Sequence, residues 1–325
     1  MRQNTIVVTA PLPQTLRAEL ESQAQLIEMS PSDDILGQLT EAQKASVVGI
    51  LCAGNTPIPP ALMDALPALQ VISNFAVGFD NVEIPEATKR KLLVCNTPKV
   101  LDGAVADLTL GLLLCVARNM PHGDQWVRTG RWEQQGPAPL TTDIRGKTLG
   151  LLGMGRIGRA VAKSAQAFEM KVIYHNRRQD KEAEAAQLAS YRDRETLFKE
   201  ADFVSVHIPL NEETKGSVGA QELGWMKPSA FLINTARGAV LDEDALVKAL
   251  EAKEIAGAGL DVMVTEPLPQ NHPFCRLDNV VLQPHAGSAT VETRHAMITL
   301  ATQNLLDALS GKQPQAMVNP EVWSQ

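Results

Sequence analysis

The sequence predicts an α/β protein made of two doubly wound parallel-sheet domains, the first of them discontinuous in sequence. Three observations lead there. Short β-rich runs alternate with helical stretches in two separate series, a glycine-rich turn opens the second series, and no strand-like run follows His285. The 325 residues fit about two domains at ~100 to 200 residues each, and a hydrophobic content of 44% supplies a sizeable core.

In the first series, residues 5–9, 47–51, 70–73 and 93–96 read as strands, with helical stretches at 12–23 and 60–65. Alternation of this kind makes neighbouring strands parallel, because each helix carries the chain back to the same edge of the sheet. The second series starts at Thr148 and continues through 171–175, 202–209, 230–235, 256–262 and 280–284. Between the two series, residues 101–120 read as one helix that is apolar on nearly every face, so several sides of it must be covered by the domains or by a second subunit. That helix suggests the seam of a homodimer. Thr97-Pro98 marks the first crossing between domains. After His285 a single amphipathic helix at 289–309, carrying Leu300, Leu305, Leu306 and Leu309, is expected to pack back on the first domain. The expected division is therefore 1–98 with 287–325, and 99–286.

Charge and composition narrow the partners. Lys and Arg number 30 against 37 Asp and Glu, a formal net charge of -7, so neither nucleic acid nor an anionic membrane is an expected partner. The longest apolar run, 108–117, is bounded by Asp107 and Arg118 and is short of the ~20 residues of a membrane span. Cys52, Cys95, Cys115 and Cys275 form no C-x-x-C pair and lie mostly in apolar runs, which predicts buried free thiols. The N-terminal apolar stretch is too short for a secretory signal, and with unpaired thiols this points to a reducing cytoplasm. His122, His175, His207, His272 and His295 share no metal-ligand spacing, so no metal is expected.

The strand at 149–152 leads into Gly153-Met154-Gly155-Arg156-Ile157-Gly158, and the following helix places Ile157, Val161, Ala165 and Phe168 at helical spacing. Gly153 permits the tight turn, Gly155 lets backbone N–H groups approach a pyrophosphate, and Gly158 permits close packing of helix on strand. A strand before the turn and an amphipathic helix after it make this a Rossmann-like dinucleotide site rather than a plain glycine turn. The next strand ends in Asn176-Arg177-Arg178, and Asn176 stands where a carboxylate would hold the ribose 2'-hydroxyl of NAD. A carboxylate there would repel a 2'-phosphate, whereas two guanidinium groups bind one well, so NADP(H) is expected over NAD(H). His207 and Pro209, at the end of a strand, are expected near the cofactor.

Ligands of open α/β sheets bind beyond the carboxyl ends of the strands. Three ionisable groups follow three successive strands there: Arg237, Glu266 and His285. Arg237 suits a substrate carboxylate and a developing alkoxide. His285 suits proton donation, with Glu266 fixing its tautomer and favouring its charged form. Singly, each has a plain reading as a loop charge or a strand-end imidazole.

Taken together, Gly153 to Gly158, Asn234-Thr235-Ala236-Arg237-Gly238, Gly259-Leu260-Asp261-Val262, Glu266-Pro267 and Pro284-His285-Ala286-Gly287-Ser288-Ala289-Thr290 resemble the ordered signatures of the D-isomer-specific 2-hydroxyacid dehydrogenases. Val77-Gly78-Phe79-Asp80-Asn81 resembles that family's substrate loop. The resemblance covers almost the whole chain, and within the family it is strongest to bacterial glyoxylate/hydroxypyruvate reductases and 2-ketogluconate reductases. It implies a flavodoxin-like substrate domain, an NADP-binding Rossmann domain, and reduction of a small 2-keto acid to the D-2-hydroxy acid. Arg237, Glu266 and His285 are then the catalytic set. Val77 and Gly78 take the substrate carboxylate, with Ala53 and Gly54 lining the same side. The implied cofactor set adds Arg156, Ile157, Thr214, Thr235, Ala236, Asp261 and Gly287 to the residues above, with Asp261 on the nicotinamide amide. Met263 departs from the aromatic that many relatives carry after Asp-Val. Trp132 reads as a buried anchor, the family pattern offering instead a reach into a neighbouring active site.

Two rival classes remain. An NAD-linked dehydrogenase of another small anion shares the architecture; formate enzymes pair the histidine with glutamine, which Glu266 disfavours, while phosphite is left open. A non-catalytic dinucleotide sensor like the fold's transcriptional corepressors would keep the glycine turn, but the chain has neither long disordered tails nor a basic patch.

Overall fold

Residues 4–323 are described by a computed structural model. The chain runs β1 (Thr5–Val8), α1 (Gln14–Glu21), β2 (Gln25–Glu28), α2 (Ile35–Gln38), α3 (Glu41–Lys44), β3 (Val47–Ala53), α4 (Pro60–Asp64), β4 (Val71–Phe75), α5 (Ile84–Lys89) and β5 (Leu93–Cys95). It continues with α6 (Asp102–Ala117), α7 (Met120–Arg128), α8 (Arg131–Gln135), β6 (Thr148–Leu152), α9 (Arg156–Ala167), β7 (Lys171–His175), α10 (Lys181–Ala185), β8 (Ser190–Tyr191), α11 (Arg194–Glu200) and β9 (Phe203–Val206). The remainder is α12 (Ala220–Trp225), β10 (Phe231–Asn234), α13 (Glu243–Glu251), β11 (Gly257–Leu260), β12 (Val280–Leu282) and α14 (Val291–Leu309). By contacts the chain divides into two units, Met1–Leu101 with Thr290–Gln325, and Asp102–Ala289.

The first unit holds a parallel sheet in the order β2-β1-β3-β4-β5, the flavodoxin-like arrangement. Every residue of β3 and β4 is buried, so β3 reads as a continuous apolar run, while Ser73 and Asn74 of β4 are buried polar groups that find hydrogen-bond partners. The C-terminal segment completes this core. Ser73 Oγ donates to Ala301 O at 2.7 Å, tying α14 to β4, and Leu305 is wholly buried against β3 at Gly49. Thr290 starts α14 by accepting from Thr293 N at 3.1 Å, a cap worth about 1 kcal/mol.

The second unit holds a parallel sheet in the order β12-β11-β10-β9-β6-β7-β8, so the chain reverses its winding at β6, directly before the glycine turn. Phe203 and Phe231 are register partners on β9 and β10, and their rings stack at 5.3 Å. Helix α6 is shorter than its pattern suggested. It stops at Ala117, and Asn119 turns into the left-handed region (φ 46) to start α7 at an angle of 58°. Much of its apolar surface packs on α9, β10 and β11 of the same unit, while Leu108, Gly111, Leu114 and Cys115 along one stripe are only half-buried.

Two edge strands escaped the sequence reading. β2 and β8 are only four and two residues long, and their apolar residues Leu26, Ile27 and Tyr191 are only partly buried, as suits strands at a sheet edge. Two burial expectations also fail. Cys275 is exposed and Cys115 half-buried, leaving only Cys52 and Cys95 as buried thiols, each pushed up to about 12 by burial. Trp132 is no buried anchor: its residue is 60% exposed on the five-residue α8, while Trp126 donates Nε1–H to Gly136 O at 2.9 Å. Among the described residues no single helix is long and apolar enough to cross a membrane.

Candidate active site

The glycine turn forms around contacts that exclude side chains. Gly153 has φ 108, and a Cβ there would lie 2.6 Å from His207 O; at Gly158 a Cβ would lie 2.3 Å from Gly153 O. Gly155 is the N-cap of α9, has no side-chain cap, and has nothing within 4 Å of its Cβ position. The positive end of this 12-residue helix thus carries no side-chain cap and has room at Gly155, which suits a pyrophosphate. Arg156 Nε reaches Asp102 Oδ2 at 3.1 Å, and Ile157 packs against the core behind the turn.

Asn176 Oδ1 accepts from Met154 N at 2.8 Å, pinning the turn to the end of β7 and leaving the amide NH2 as a donor. Arg177 is 87% exposed and meets Glu213 at 3.2 Å, and Arg178 is exposed beside it. His207 Nε2 lies 2.8 Å from Ser205 Oγ, and its Nδ1 is buried with no partner among the described residues. Burial pushes this imidazole down to about 4, so it is neutral at working pH. Thr214 spends its hydroxyl on the turn after β9, donating to Pro209 O at 2.6 Å and accepting from Asn211 N at 2.8 Å. The uncapped helix end, the room above Gly155 and the unpartnered His207 nitrogen all fit a dinucleotide.

Past the ends of β10, β11 and β12, the three ionisable groups meet. Asn234, wholly buried, donates Nδ2–H to Arg237 O at 2.9 Å and accepts from Ala236 N at 3.0 Å, which shapes the turn carrying Arg237. Arg237 Nη1 donates to Ala236 O at 2.8 Å, and Thr235 Oγ1 is 2.9 Å from Thr109 Oγ1 on α6. At Gly238 a Cβ would lie 2.0 Å from Met263 C and 2.2 Å from Met263 O, so only glycine lets this turn press against the peptide after β11.

That peptide positions the acid. Glu266 Oε1 accepts from Met263 N at 2.9 Å, and Oε2 accepts from His285 Nδ1 at 2.7 Å. Burial alone would raise the Glu266 carboxyl; the bonds from His285 and Met263 and the positive charges of His285 and Arg237 outweigh it and hold it below its usual value. Glu266 is thus ionised, and His285 carries its hydrogen on Nδ1. The side chains of His285 and Glu266 remain 47% and 35% exposed, so the ring's other face is open to a ligand.

His285 sits in the left-handed region (φ 53), a conformation that costs a non-glycine residue energy and needs support. Asp261 provides it. Its backbone carbonyl accepts from His285 N at 2.8 Å, and its carboxylate, in a residue only 1% exposed, accepts from Ala286 N at 2.6 Å and Gly287 N at 2.9 Å. Burial raises this carboxyl, and the two N–H bonds offset part of the rise.

In the first unit, Ala53 and Gly54 end β3, next to β1, where the sheet order reverses. A Cβ on Gly54 would lie 2.8 Å from Ala76 Cβ, so glycine lets the ends of β3 and β4 approach. Beyond β4, three consecutive carbonyls turn inward. Ala76 O accepts from Thr97 N at 2.9 Å, Val77 O from Asn96 Nδ2 at 2.8 Å, and Gly78 O from Asn74 Nδ2 at 2.8 Å. In a trans peptide the N–H points opposite the carbonyl, so the N–H groups of Val77, Gly78 and Phe79 point outward, as an anion cradle requires. Sequence reading missed Asn74 and Asn96 and named Asn234 only within a family signature, without a role; the signal in each is an amide at or beside a strand end.

Fold and turn together define a two-domain α/β protein with a dinucleotide-binding domain. Residues 110–287 match the D-isomer specific 2-hydroxyacid dehydrogenase NAD binding domain. A glyoxylate reductase of Thermofilum pendens is 48% identical over 277 residues, 84% of this chain and 81% of its own length. Glyoxylate/hydroxypyruvate reductase B of Salmonella newport is 47% identical over 279 residues, 85% of this chain and 86% of its own. Among solved structures, the NADPH-dependent glyoxylate/hydroxypyruvate reductase of Sinorhizobium meliloti in complex with NADP and malonate matches with a TM-score of 0.89 at 36% identity, covering 97% of each chain. The chain belongs to the D-isomer-specific 2-hydroxyacid dehydrogenase family.

Proposed function

We propose that this chain is an NADPH-dependent reductase of small 2-keto acids of the glyoxylate, hydroxypyruvate or 2-ketogluconate type, giving the D-2-hydroxy acid. The observation that carries the reading is the 2.7 Å Glu266–His285 pair whose carboxylate also feels the charge of Arg237. When bound, the nicotinamide supplies a hydride to the keto carbon. Arg237 orients the substrate and stabilises the negative charge that grows on its oxygen. His285 donates a proton from Nε2 to that oxygen and is left neutral, while Glu266 keeps Nδ1 protonated throughout. The outward N–H groups at Val77 and Gly78 hold the substrate carboxylate, with Ala53 and Gly54 beside them.

Gly153, Gly155, Arg156, Ile157 and Gly158 would hold the pyrophosphate, and Asn176, Arg177 and Arg178 the ribose 2'-phosphate. His207, Pro209, Thr214, Thr235, Ala236, Asp261 and Gly287 line the remainder of the cofactor path, Asp261 toward the nicotinamide amide. The similarity to an NADPH-dependent relative supports this cofactor choice. The assembly we infer is a homodimer in the cytoplasm, and the exposed apolar side chains of Met120, Val127, Trp132 and Leu140 support a subunit contact on that segment. Initial rates with glyoxylate, hydroxypyruvate, pyruvate, 2-ketogluconate and phosphite, each with its matching oxidised or reduced NADP and NAD, test the reading. Keto acid reduction with NADPH preferred is expected; turnover of phosphite alone, or none at all, overturns it. In the Arg177→Ala, Arg178→Ala double variant, affinity for NADPH should fall by more than tenfold and affinity for NADH should barely change, measured by fluorescence titration.

A further inference from the structure

Helix α14 runs antiparallel to β4. Ala301 is fastened to Ser73 at 2.7 Å, and Arg294, two turns nearer the helix N-terminus, lies with its guanidinium 5.4 Å from the ring centroid of Phe75, the last residue of β4. Helical side chains lean toward the N-terminus of their helix, so Arg294 is carried to the carboxyl edge of the sheet, where residues 76–78 leave it. The side chain is half-buried, and burial lowers its ordinary value. Among the described residues the Phe75 ring is its only charge-stabilising contact: no carboxylate or carbonyl accepts from it.

A guanidinium stacked on one face of a ring keeps its five N–H donors in the plane, directed at the rim. The carbonyls of Ala76, Val77 and Gly78 in the loop beside it are bonded to Thr97, Asn96 and Asn74 instead. A half-buried cation whose donors meet no protein acceptor is free to exchange water for an oxygen of a ligand. We propose that Arg294 is a specificity-determining residue that binds an oxygen carried on the third carbon of the 2-keto acid, next to the loop that holds its carboxylate. This rests on the reading of the chain as a 2-keto acid reductase.

The test compares Arg294→Leu and Arg294→Lys with the unmodified full chain, using NADPH and four substrates: glyoxylate, which has no third carbon, pyruvate, with an apolar one, hydroxypyruvate, with a hydroxyl, and ketomalonate, with a carboxylate. The expected result is that Arg294→Leu lowers the kcat/KM ratio of hydroxypyruvate or ketomalonate to pyruvate by about 10- to 100-fold, the range for hydrogen bonds to a charged group, with partial recovery in Arg294→Lys. Whichever of the two loses more identifies the oxygen as hydroxyl or carboxylate. A ratio within twofold of the unmodified chain overturns the proposal, even where every rate drops, because a smaller folded fraction cancels in the ratio. Ratios that change while glyoxylate and pyruvate are still reduced keep both readings; no reduction of any of the four by the unmodified chain overturns the reductase reading and this one with it.

Discussion

With Nδ1 of His285 held by Glu266 at 2.7 Å, Nε2 is the ring's exchangeable proton site, and this assigns separate work to each residue of the set. His285→Ala and Arg237→Ala should each lower kcat by ~10²- to 10⁴-fold while NADPH still titrates with near-normal affinity, since neither side chain belongs to the glycine turn. Glu266→Gln tests the electrostatics. The carboxyl is held below its usual value against the opposing effect of burial, so it is ionised through the working range and attracts the proton on the imidazole. Removing that charge weakens the hold on the Nδ1–H and on the ring's orientation, so kcat at neutral pH should fall by about tenfold or more while NADPH affinity, read by fluorescence titration, is unchanged. The stability linkage is read at acid pH. A lowered carboxyl contributes stability that is full above its unfolded value of ~4.3 and is lost as pH falls through the folded one, so the variant's melting temperature should drop less than the unmodified chain's in that acid range.

At the scale of elements, the site depends on how closely three strand-end turns can lie. The β10 turn touches the β11 peptide at Gly238, and the β12 turn hangs from Asp261 at the end of β11. Gly238→Ala places a methyl group inside van der Waals distance of the Met263 carbonyl and must push Arg237 and Glu266 apart. The expected outcome is a loss in kcat/KM of more than about tenfold together with a lower melting temperature, since overpacking costs about 1 to 3 kcal/mol. A variant with unchanged kcat/KM would remove the contact's importance. Most strands and the long helices were legible in the sequence because apolar runs and caps are local; the edge strands β2 and β8 were not, since at four and two residues they are too short to show a period.

For the whole molecule, both sheets use parallel strands covered by helices, so neither relies on another chain for its core. Apolar surface is instead left on the 120–140 segment, where Met120, Val127, Trp132 and Leu140 are exposed. Sedimentation equilibrium at micromolar concentration should give twice the 35.1 kDa chain mass, and Trp132→Asp should shift the population toward the single-chain mass. A mass of one chain before substitution counts against the dimer.

The order of glycines, arginine, glutamate and histidine along the chain, each at a strand end, was decided locally, and with it the fold class and the candidate chemistry. Each of those signals needs only a few neighbouring residues: periodicity, a turn that tolerates no side chain, a charge after a strand. What tertiary structure alone decided is which partner each group meets. That Asp261 supports the strained histidine and that Asn74 and Asn96 hold the backbone beyond β4 are contacts between residues from 4 to 25 positions apart, and the 2.7 Å geometry of the expected His285–Glu266 pair arises the same way. Such contacts follow from the packing of whole elements, because a hydrogen bond needs atoms within about 3 Å, and no spacing along the sequence fixes a distance through space.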